Sequence, residues 1–330
     1  YSNGVQFEIV YADSGCDGNM GATAAQSLVD AGVWGVVGAA CSGASMGANS
    51  VLSAAGIPQV SYVSTNPSLS DAGAYPGFFR VVPSDAFQGT VLAEIMAYDI
   101  DEDSDDIAVI HMTNSYGAGL ADAFVANMDS ASICTQIGYE ETNTDFSQVV
   151  ESVMADGCTS VMMVSFASDG AALIEELETQ GFSGQIYGAD GIATVQLAGY
   201  MSNPSLLDGI IATNYIPRPT TEVTQVFANL CAQSPDCAFG IYTAEAFDAV
   251  TIVAFAAFTA LANPGLDANM AVMATGQAWL GATGEITFMS NGDIPLHGLC
   301  IGEFSYESSD ASVSYDCTRY WDYENGITNA

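Results

Sequence analysis

GVWGVVGAACSGASMGANSVLSAAGIPQVSYVSTNP, residues 32–67, is the stretch of this sequence that decides its fold. Residues 33–38 and 59–63 are short apolar runs rich in Val, and the Ala-rich segment between them has the length of a helix and ends at Gly56 and Pro58. This order predicts a strand, a helix and a second strand. Strands joined by such a crossover run parallel, so the loops after their carboxyl ends meet at one edge of the sheet.

Hydroxyl side chains follow both predicted strands. Ser42 comes after the first strand and opens the helix, and Ser64 and Thr65 come after the second strand. Free backbone N–H groups and a hydroxyl at a helix start can bind a carboxylate or another small anion. Alternatively, Ser42 and Thr65 only cap the helices that they precede. Both interpretations are open at this point.

The length and composition predict a folded protein of two lobes. A chain of 330 residues exceeds one ordinary core, and its 49% hydrophobic content argues against disorder. Predicted strands and helices alternate along the chain, which is typical of an α/β protein with parallel sheets. The longest apolar run, residues 246–262, predicts a buried helix and no membrane span. No signal peptide is visible, so we expect a processed or truncated chain.

The charge balance excludes two classes of partner. The chain has 39 Asp and Glu residues against three cations, which are Arg80, Arg218 and Arg319. Nucleic acids and anionic membranes are bound through clustered Lys and Arg, so neither is an expected partner. Any anionic group of a ligand must be held by backbone dipoles and hydroxyls, because cationic side chains are so scarce.

Eight cysteines indicate an oxidising compartment. Their even number and spacing predict disulfide bonds, and hence a periplasmic or extracellular location; they are Cys16, Cys41, Cys134, Cys158, Cys231, Cys237, Cys300 and Cys317. A zinc site is the alternative, but there is no C-x-x-C motif, and both histidines lie far from the cysteine pairs. We expect no metal and no cofactor. The acidic run at 99–106 lacks the glycine and terminal glutamate of an EF-hand loop and predicts a solvated turn.

Several ordered blocks of the sequence resemble a known family. They include YADSGCD at 11–17, GVVGAACSGAS at 35–45, STNPSLSD at 64–71, FFRVVPSDAFQG at 78–89, YGADGI at 187–192 and YTAEAFDAV at 242–250. With these blocks the chain resembles type I periplasmic solute-binding proteins. It is most similar to the leucine/isoleucine/valine-binding group that serves ABC transporters and is related to receptor ligand-binding domains.

The resemblance implies the type I periplasmic-binding-protein fold, with α/β lobes, each a parallel sheet between helices. Lobe 1 would comprise residues 1–83 and 219–293, and lobe 2 residues 84–218 and 294–330, joined by three hinge crossovers. The family has a strand and a helix before the segment that matches residue 5, so the first strand and helix of lobe 1 are expected to be absent. The resemblance also implies a Cys16–Cys41 disulfide.

The resemblance further implies a site between the lobes for a free amino acid. The residues that it assigns to the ligand are Ser42, Ser64, Thr65, Tyr116, Phe166 and Asp190. Ser42 matches a position that binds the α-carboxylate, and Ser64 and Thr65 match residues that hold carboxylate and ammonium. Asp190 stands where relatives have a glutamate that pairs with the ammonium. From spacing alone, Asp190 could equally begin an Asx turn or cap a helix over 192–200.

Tyr116 and Phe166 match aromatic residues of the second lobe that close on the ligand. Glycine or serine flanks both residues at predicted strand ends, which favours a crevice over a core. Hinge bending near Pro83, Arg218 and Asp293 would close the two lobes on the ligand.

The predicted function is capture of a small amino acid or related zwitterion for ABC-type uptake, with a transporter permease as partner. We expect no enzyme, since the chain has neither an HExxH motif nor a P-loop. The alternative function is a ligand-sensing ectodomain or a secreted assembly subunit. A monomer is expected unless a neighbouring chain supplies the missing first strand.

Overall fold

The computed structural model describes residues 6–99, 106–128, 132–215, 221–235, 237 and 242–330. The chain divides into two compact units. Unit 1 comprises Tyr1–Ser84 and Pro217–Pro295, and unit 2 comprises Asp85–Ile216 and Leu296–Ala330. Each unit therefore combines two stretches that are distant in sequence, and the chain passes from one unit to the other three times.

Helices and strands alternate through most of both units. The α-helices of the described residues are α1 (Gly18–Asp30), α2 (Ser42–Leu52), α3 (Asp85–Asp99), α4 (Ser115–Val125), α5 (Ser147–Ala155), α6 (Ala167–Thr179), α7 (Glu222–Gln233), α8 (Thr243–Ala262) and α9 (Ala268–Thr275). The strands are β1 (Val36–Val37), β2 (Gln59–Ser61), β3 (Phe78–Arg80), β4 (Ile107–Met112), β5 (Ile133–Tyr139), β6 (Ser160–Val164), β7 (Gln185–Gly188), β8 (Ile211–Tyr215), β9 (Trp279–Gly281), β10 (Gly284–Ile286), β11 (Leu299–Glu307), β12 (Ser312–Asp322) and β13 (Gly326–Asn329).

Unit 1 contains a parallel sheet in the order β1-β2-β3, with Val36 opposite Gln59 and Gln59 opposite Phe78. Strands β9 and β10 form a separate antiparallel hairpin. Val60 of β2 and Phe79 of β3 pack in one hydrophobic core with Ile252 of α8 and Val272 of α9. The strand–helix–strand prediction for residues 32–67 is confirmed by β1, α2 and β2.

Helices α1 and α2 pack with their backbones close together. A Cβ atom added to Gly47 would lie 1.9 Å from the carbonyl oxygen of Gly18, so only glycine fits this position. The Cys16–Cys41 disulfide joins the residue before α1 to the residue before α2. This packing fixes the start of α2, where Ser42 lies.

Helix α8 corrects the expectation of a buried helix at 246–262. Only one stripe of α8 is buried, because residues three or four positions apart face the sheet; it consists of Asp248, Ala249, Ile252 and Ala256. By length and composition this 20-residue helix could cross a membrane, although core helices of other proteins pass the same test. Asp248 accepts hydrogen bonds from the backbone N–H groups of Ala282 (2.6 Å) and Thr283 (2.9 Å), which ties α8 to the β9–β10 turn.

Unit 2 contains a mixed sheet whose described strands run in the order β13-β12-β11-β8-β7-β6-β4-β5. The strands from β8 to β5 are parallel, and β11, β12 and β13 join them antiparallel. Every residue of β4 and β6 is buried, so both faces of this part of the sheet are covered. The carboxyl ends of β4, β6 and β7 therefore lie side by side at one edge.

Residues 6–12 correct another expectation. The sequence predicts a strand over 5–11, yet the described part of this segment is not in a sheet. Within the described residues no backbone hydrogen bond pairs it with a neighbouring strand. An apolar run favours a strand, but a strand also needs a hydrogen-bonding neighbour.

The prediction of disulfide bonds is confirmed. The bonded pairs are Cys16–Cys41, Cys134–Cys158, Cys231–Cys237 and Cys300–Cys317. Because every cysteine takes part in a disulfide, none remains as a thiolate ligand, and the zinc alternative based on cysteine is wrong. Most of the acidic run at 99–106 lies outside the described residues, as does Arg218.

Candidate functional site

Unit 1 brings Ser42, Ser64 and Thr65 together, and we call this group the hydroxyl pole. It forms because β1 and β2 are parallel neighbours, so the segments after them meet. The Ser42 hydroxyl accepts a hydrogen bond from the Asn66 N–H at 3.2 Å, which joins the first residue of α2 to the loop after β2. The Ser42 hydroxyl proton has no acceptor among the described residues and can serve a ligand.

Ser64 has a structural role in the hydroxyl pole. Its Oγ donates to the carbonyl of Ala40 at 2.8 Å and lies 2.8 Å from Oγ of Ser45. Its own N–H donates to Oγ of Ser61 at 3.0 Å. These bonds occupy the Ser64 side chain, so its hydroxyl shapes the loop after β2.

Thr65 is the residue of the hydroxyl pole with the most free hydrogen-bonding capacity. It is buried, yet neither its N–H nor its hydroxyl bonds to any residue that the structure describes. A buried donor without a partner costs free energy, so such groups are normally satisfied by water or by a ligand. Together with the first N–H groups of α2, Thr65 forms a set of donors suited to a carboxylate.

Unit 2 brings Tyr116, Phe166 and Asp190 together, and we call this group the acidic pole. The three residues follow β4, β6 and β7, which are adjacent in the sheet. The rings of Tyr116 and Phe166 stack with centroids 5.5 Å apart and planes 3° apart. The Tyr116 hydroxyl donates to Oδ1 of Asp190 at 2.8 Å. The 3₁₀ segment Val195–Tyr200 is capped by Thr194, whose side chain accepts from the Gln196 N–H, and this disfavours Asp190 as the cap of a helix over 192–200.

Gln88, Asp85 and Tyr215 extend the acidic pole, and the sequence analysis missed them. The Gln88 amide is oriented with Nε2 towards the carboxylates, because the opposite orientation would set its oxygen against theirs. In this orientation Nε2 lies 3.1 Å from Oδ1 of Asp190 and 3.2 Å from Oδ1 of Asp85, and Oε1 accepts from the Asp190 N–H at 3.0 Å. Tyr215 donates to Oδ1 of Asp85 at 3.3 Å.

The acidic pole concentrates negative charge inside unit 2. Burial, followed by the charges of Asp190 and Asp85, raises the pKa of Tyr116 well above its usual value. Tyr116 is therefore a neutral hydrogen-bond donor at all ordinary pH values. The carboxyl groups of Asp190 and Asp85 both lie within 3.2 Å of Nε2 of Gln88, and two neighbouring carboxyl groups suit an ammonium group.

A second buried carboxyl lies near the same edge of the sheet. The Tyr139 hydroxyl donates to Oδ2 of Asp169 and lies 2.8 Å from Oγ of Ser165. Burial raises the pKa of Asp169 above its usual value, and the hydrogen bond from Tyr139 opposes part of that rise. Ser165 directly precedes Phe166, so this network anchors the residue next to the stacked ring of Phe166.

One sequence signal for the missed residues was available. In PSDAFQG, Asp85 and Gln88 are three positions apart, which places them on the same face of a helix. A first-turn Asp is an ordinary feature of helix starts, so the spacing alone does not distinguish a ligand-facing pair from a helix terminus.

One pattern of nucleophilic enzymes occurs at Gly43–Gly47 (GASMG), which fits G-x-S-x-G. Ser45, however, lies inside α2 rather than at a strand-to-helix turn, and its hydroxyl faces the carbonyl of Ala39 and Oγ of Ser64. Both histidines of the sequence belong to unit 2, so unit 1 offers this serine no imidazole base. The motif therefore has no nucleophile-elbow geometry here.

The sequence matches the family described as "Receptor family ligand binding region" over residues 1–297. The chain belongs to this family. The predicted resemblance to type I solute-binding proteins is also confirmed by relatives named for the amino acids that they bind. An "Amino acid binding protein" of Pseudomonas aeruginosa is 29% identical over 214 residues, which cover 64% of this chain and 56% of that protein.

A longer match is a "Leu/Ile/Val-binding protein homolog 2" of Brucella abortus. It is 26% identical over 318 residues, which cover 95% of this chain and 83% of that protein. The chain thus spans little more than half of the Pseudomonas protein and most of the Brucella protein.

Solved structures confirm the predicted fold class. A leucine-binding protein from Thermotoga maritima matches with a TM-score of 0.82 at 19% identity, over 99% of this chain and 89% of that chain. A branched-chain amino acid transporter substrate-binding protein from Streptococcus pneumoniae, solved with isoleucine, matches with a TM-score of 0.75 at 17% identity, over 98% and 87% of the two chains.

Proposed function

We propose that this protein is a solute-binding protein for a small amino acid, and that the two poles hold opposite ends of the same ligand. The hydroxyl pole would bind the α-carboxylate through Ser42, Thr65 and the first N–H groups of α2. The acidic pole would bind the ammonium through Asp190, with Tyr116 and Phe166 beside the ligand.

The observation that carries this proposal is the complementary chemistry of the two poles. Unit 1 offers neutral donors around Thr65, which is buried and has no hydrogen-bond partner among the described residues. Unit 2 offers the buried carboxylate of Asp190 beside two stacked rings. A zwitterion has one group for each pole, whereas a plain anion or a plain cation would use only one.

Relatives support the ligand class and the expected partners. The relative from Pseudomonas aeruginosa that is 26% identical over 259 residues is named for leucine, isoleucine, valine, threonine and alanine. By analogy, we propose that the chain works outside the cytoplasm, as a monomer, and delivers its ligand to the permease of an ABC transporter. A sensing ectodomain is the second candidate, favoured by the receptor description of the family.

Replacing Asp190 tests the acidic pole. Titration calorimetry of the wild-type protein with leucine, isoleucine, valine, threonine and alanine should find binding of at least one. Asp190→Ala and Asp190→Asn should each weaken that binding by about tenfold or more, because a charge-assisted bond to the ammonium is lost.

Asp156→Ala is the matched control, since Asp156 is exposed and its removal changes the net charge equally. Its affinity should equal that of the wild type. Unchanged affinity in Asp190→Ala, or no binding of any amino acid by the wild type, would contradict the proposed function. If the wild type binds an amino acid as proposed, an uptake assay in cells with and without this protein distinguishes transport from sensing.

A further inference from the structure

Arg80 is a fully buried cation behind the hydroxyl pole, at the end of β3. Its Nε donates to Oδ1 of Asp293 at 2.6 Å, and this ion pair balances its charge. Asp293 is itself held by Nδ2 of Asn291, which donates to its Oδ2 at 3.0 Å. This ion pair therefore fixes the Nε edge of the guanidinium.

The remaining donors of Arg80 bind the loop after β2 and the 3₁₀ turn that follows it. Nη1 donates to the carbonyl of Ser64 at 3.3 Å and to the carbonyl of Asn66 at 3.0 Å. Nη2 donates to Oγ of Ser70 at 2.6 Å. With the bond to Asp293, four of the five N–H donors of the guanidinium have partners.

The bond to the Ser64 carbonyl determines where the Thr65 N–H points. That carbonyl and that N–H belong to one planar peptide unit, and this unit is trans. In a trans peptide the C=O and N–H bonds point in opposite directions. Because the carbonyl faces Arg80, the Thr65 N–H faces away from Arg80, and it is this N–H that has no partner among the described residues.

We propose that Arg80 is a positioning residue for the ligand carboxylate. Its planar fork fixes the Ser64–Thr65 peptide so that the Thr65 N–H and hydroxyl are presented to the carboxylate, beside Ser42. This inference rests on the proposed function and adds a residue that touches no ligand itself.

Ion pairing alone does not explain this arrangement. A buried ion pair is often no more stable than apolar residues of the same volume, so stability gives little reason to keep one. The fork that reaches Ser64, Asn66 and Ser70 at once is a geometric feature that Lys cannot reproduce, because its ammonium is a single point on a flexible stem. Arg80→Lys therefore keeps the charge and removes the positioning.

The test compares L-leucine, or whichever of the five amino acids binds best, with its carboxamide. The wild type should prefer the acid, because the amide lacks the carboxylate that the hydroxyl pole binds. In Arg80→Lys the affinity for the acid should fall at least tenfold and that for the amide much less, so that the preference collapses. A general loss of structure would weaken both ligands alike.

Two further variants keep the test decisive if Arg80→Lys does not fold. Ser70→Ala removes one anchor of the guanidinium without leaving a buried charge, and it should reduce the preference for the acid about threefold to tenfold. Phe79→Leu, in the same strand, disturbs the core beside Phe288 but not the loop, and its preference should equal that of the wild type.

An unchanged acid-to-amide preference in both Arg80→Lys and Ser70→Ala would overturn the positioning role while leaving the proposed function intact. Absence of amino acid binding by the wild type would instead contradict the proposed function, and this inference with it.

Discussion

The Asp169 carboxyl lies inside unit 2, and no ion pair among the described residues involves it. Its folded pKa is raised by burial, so the folded state binds the proton more tightly than the unfolded chain does. This group therefore favours folding below its unfolded pKa, and that contribution is lost as the pH rises through the folded pKa.

Asp169→Asn keeps an acceptor for Tyr139 and removes the charge. Its free energy of unfolding should exceed that of the wild type at pH 7, and the excess should shrink as the pH falls towards the usual Asp value of 3.8. Urea denaturation of both proteins at several pH values measures the difference, in which the other titrating groups cancel. A difference that does not change with pH would show that Asp169 is not perturbed.

Helix α4 carries Tyr116 into the acidic pole, and its first turn depends on Asn114. Oδ1 of Asn114 accepts from the Gly117 N–H at 2.9 Å, which caps the helix. Asn114→Ala should lower the free energy of unfolding by about 1 kcal/mol, the usual cost of losing such a cap. It should also weaken amino acid binding, because fraying of the first turn displaces Tyr116.

The matched control is Asp267→Ala, which removes the cap of α9 in unit 1, where Asp267 accepts from the Met270 N–H at 2.9 Å. Both variants should lose similar stability in chemical denaturation, and only Asn114→Ala should lose affinity. Asn114→Ser should recover both properties, since serine caps helices equally well. Equal affinity in all three variants would show that the N-terminal cap of α4 does not affect amino acid binding.

Periodicity predicted the elements that carry the site, because each lies between turn residues and has a clear apolar pattern. Strand β1, helix α2 and strand β2 all occur where the sequence places them. The strand predicted over 5–11 is wrong in its described part, because pairing depends on a neighbour that local sequence does not reveal. Helix α9 was missed for a related reason, since only Ala271 and Val272 of its short span are buried.

The site was predictable only where a residue follows a strand. Ser42 and Thr65 could be proposed because parallel strands direct their carboxyl ends to one edge, and Asp190 could be proposed from the family resemblance. Gln88 and Arg80 could not, because their partners are distant in sequence: Gln88 reaches Asp190, and Arg80 reaches Asp293. The spacing of Asp85 and Gln88 indicates a shared helix face, but it does not identify a contact with a residue so distant in sequence.

The formal net charge of −36 affects the whole molecule. Self-repulsion of like charges opposes the compact state, and salt screens it with a Debye length of about 10 Å at 0.1 M and about 3 Å at 1 M. The thermal unfolding temperature should therefore rise as NaCl is increased over this range.

Sucrose at equal osmolality is the control, because it favours compact states without screening charge. Differential scanning calorimetry should show the larger rise in NaCl. An unfolding temperature that falls with NaCl, or that rises no more than in sucrose, would show that repulsion is not a significant term for this fold.

The pairing of β8 with β11 has a consequence for synthesis. Leu299 of β11 lies opposite Tyr215 of β8, yet the second stretch of unit 1 separates these strands along the chain. At about 5–20 residues per second, the ribosome leaves the β8 edge open for several seconds before its neighbour emerges. During that interval the nascent chain exposes unpaired backbone groups that another strand can occupy. Unit 2 therefore cannot finish folding cotranslationally ahead of unit 1, although most of it is made first.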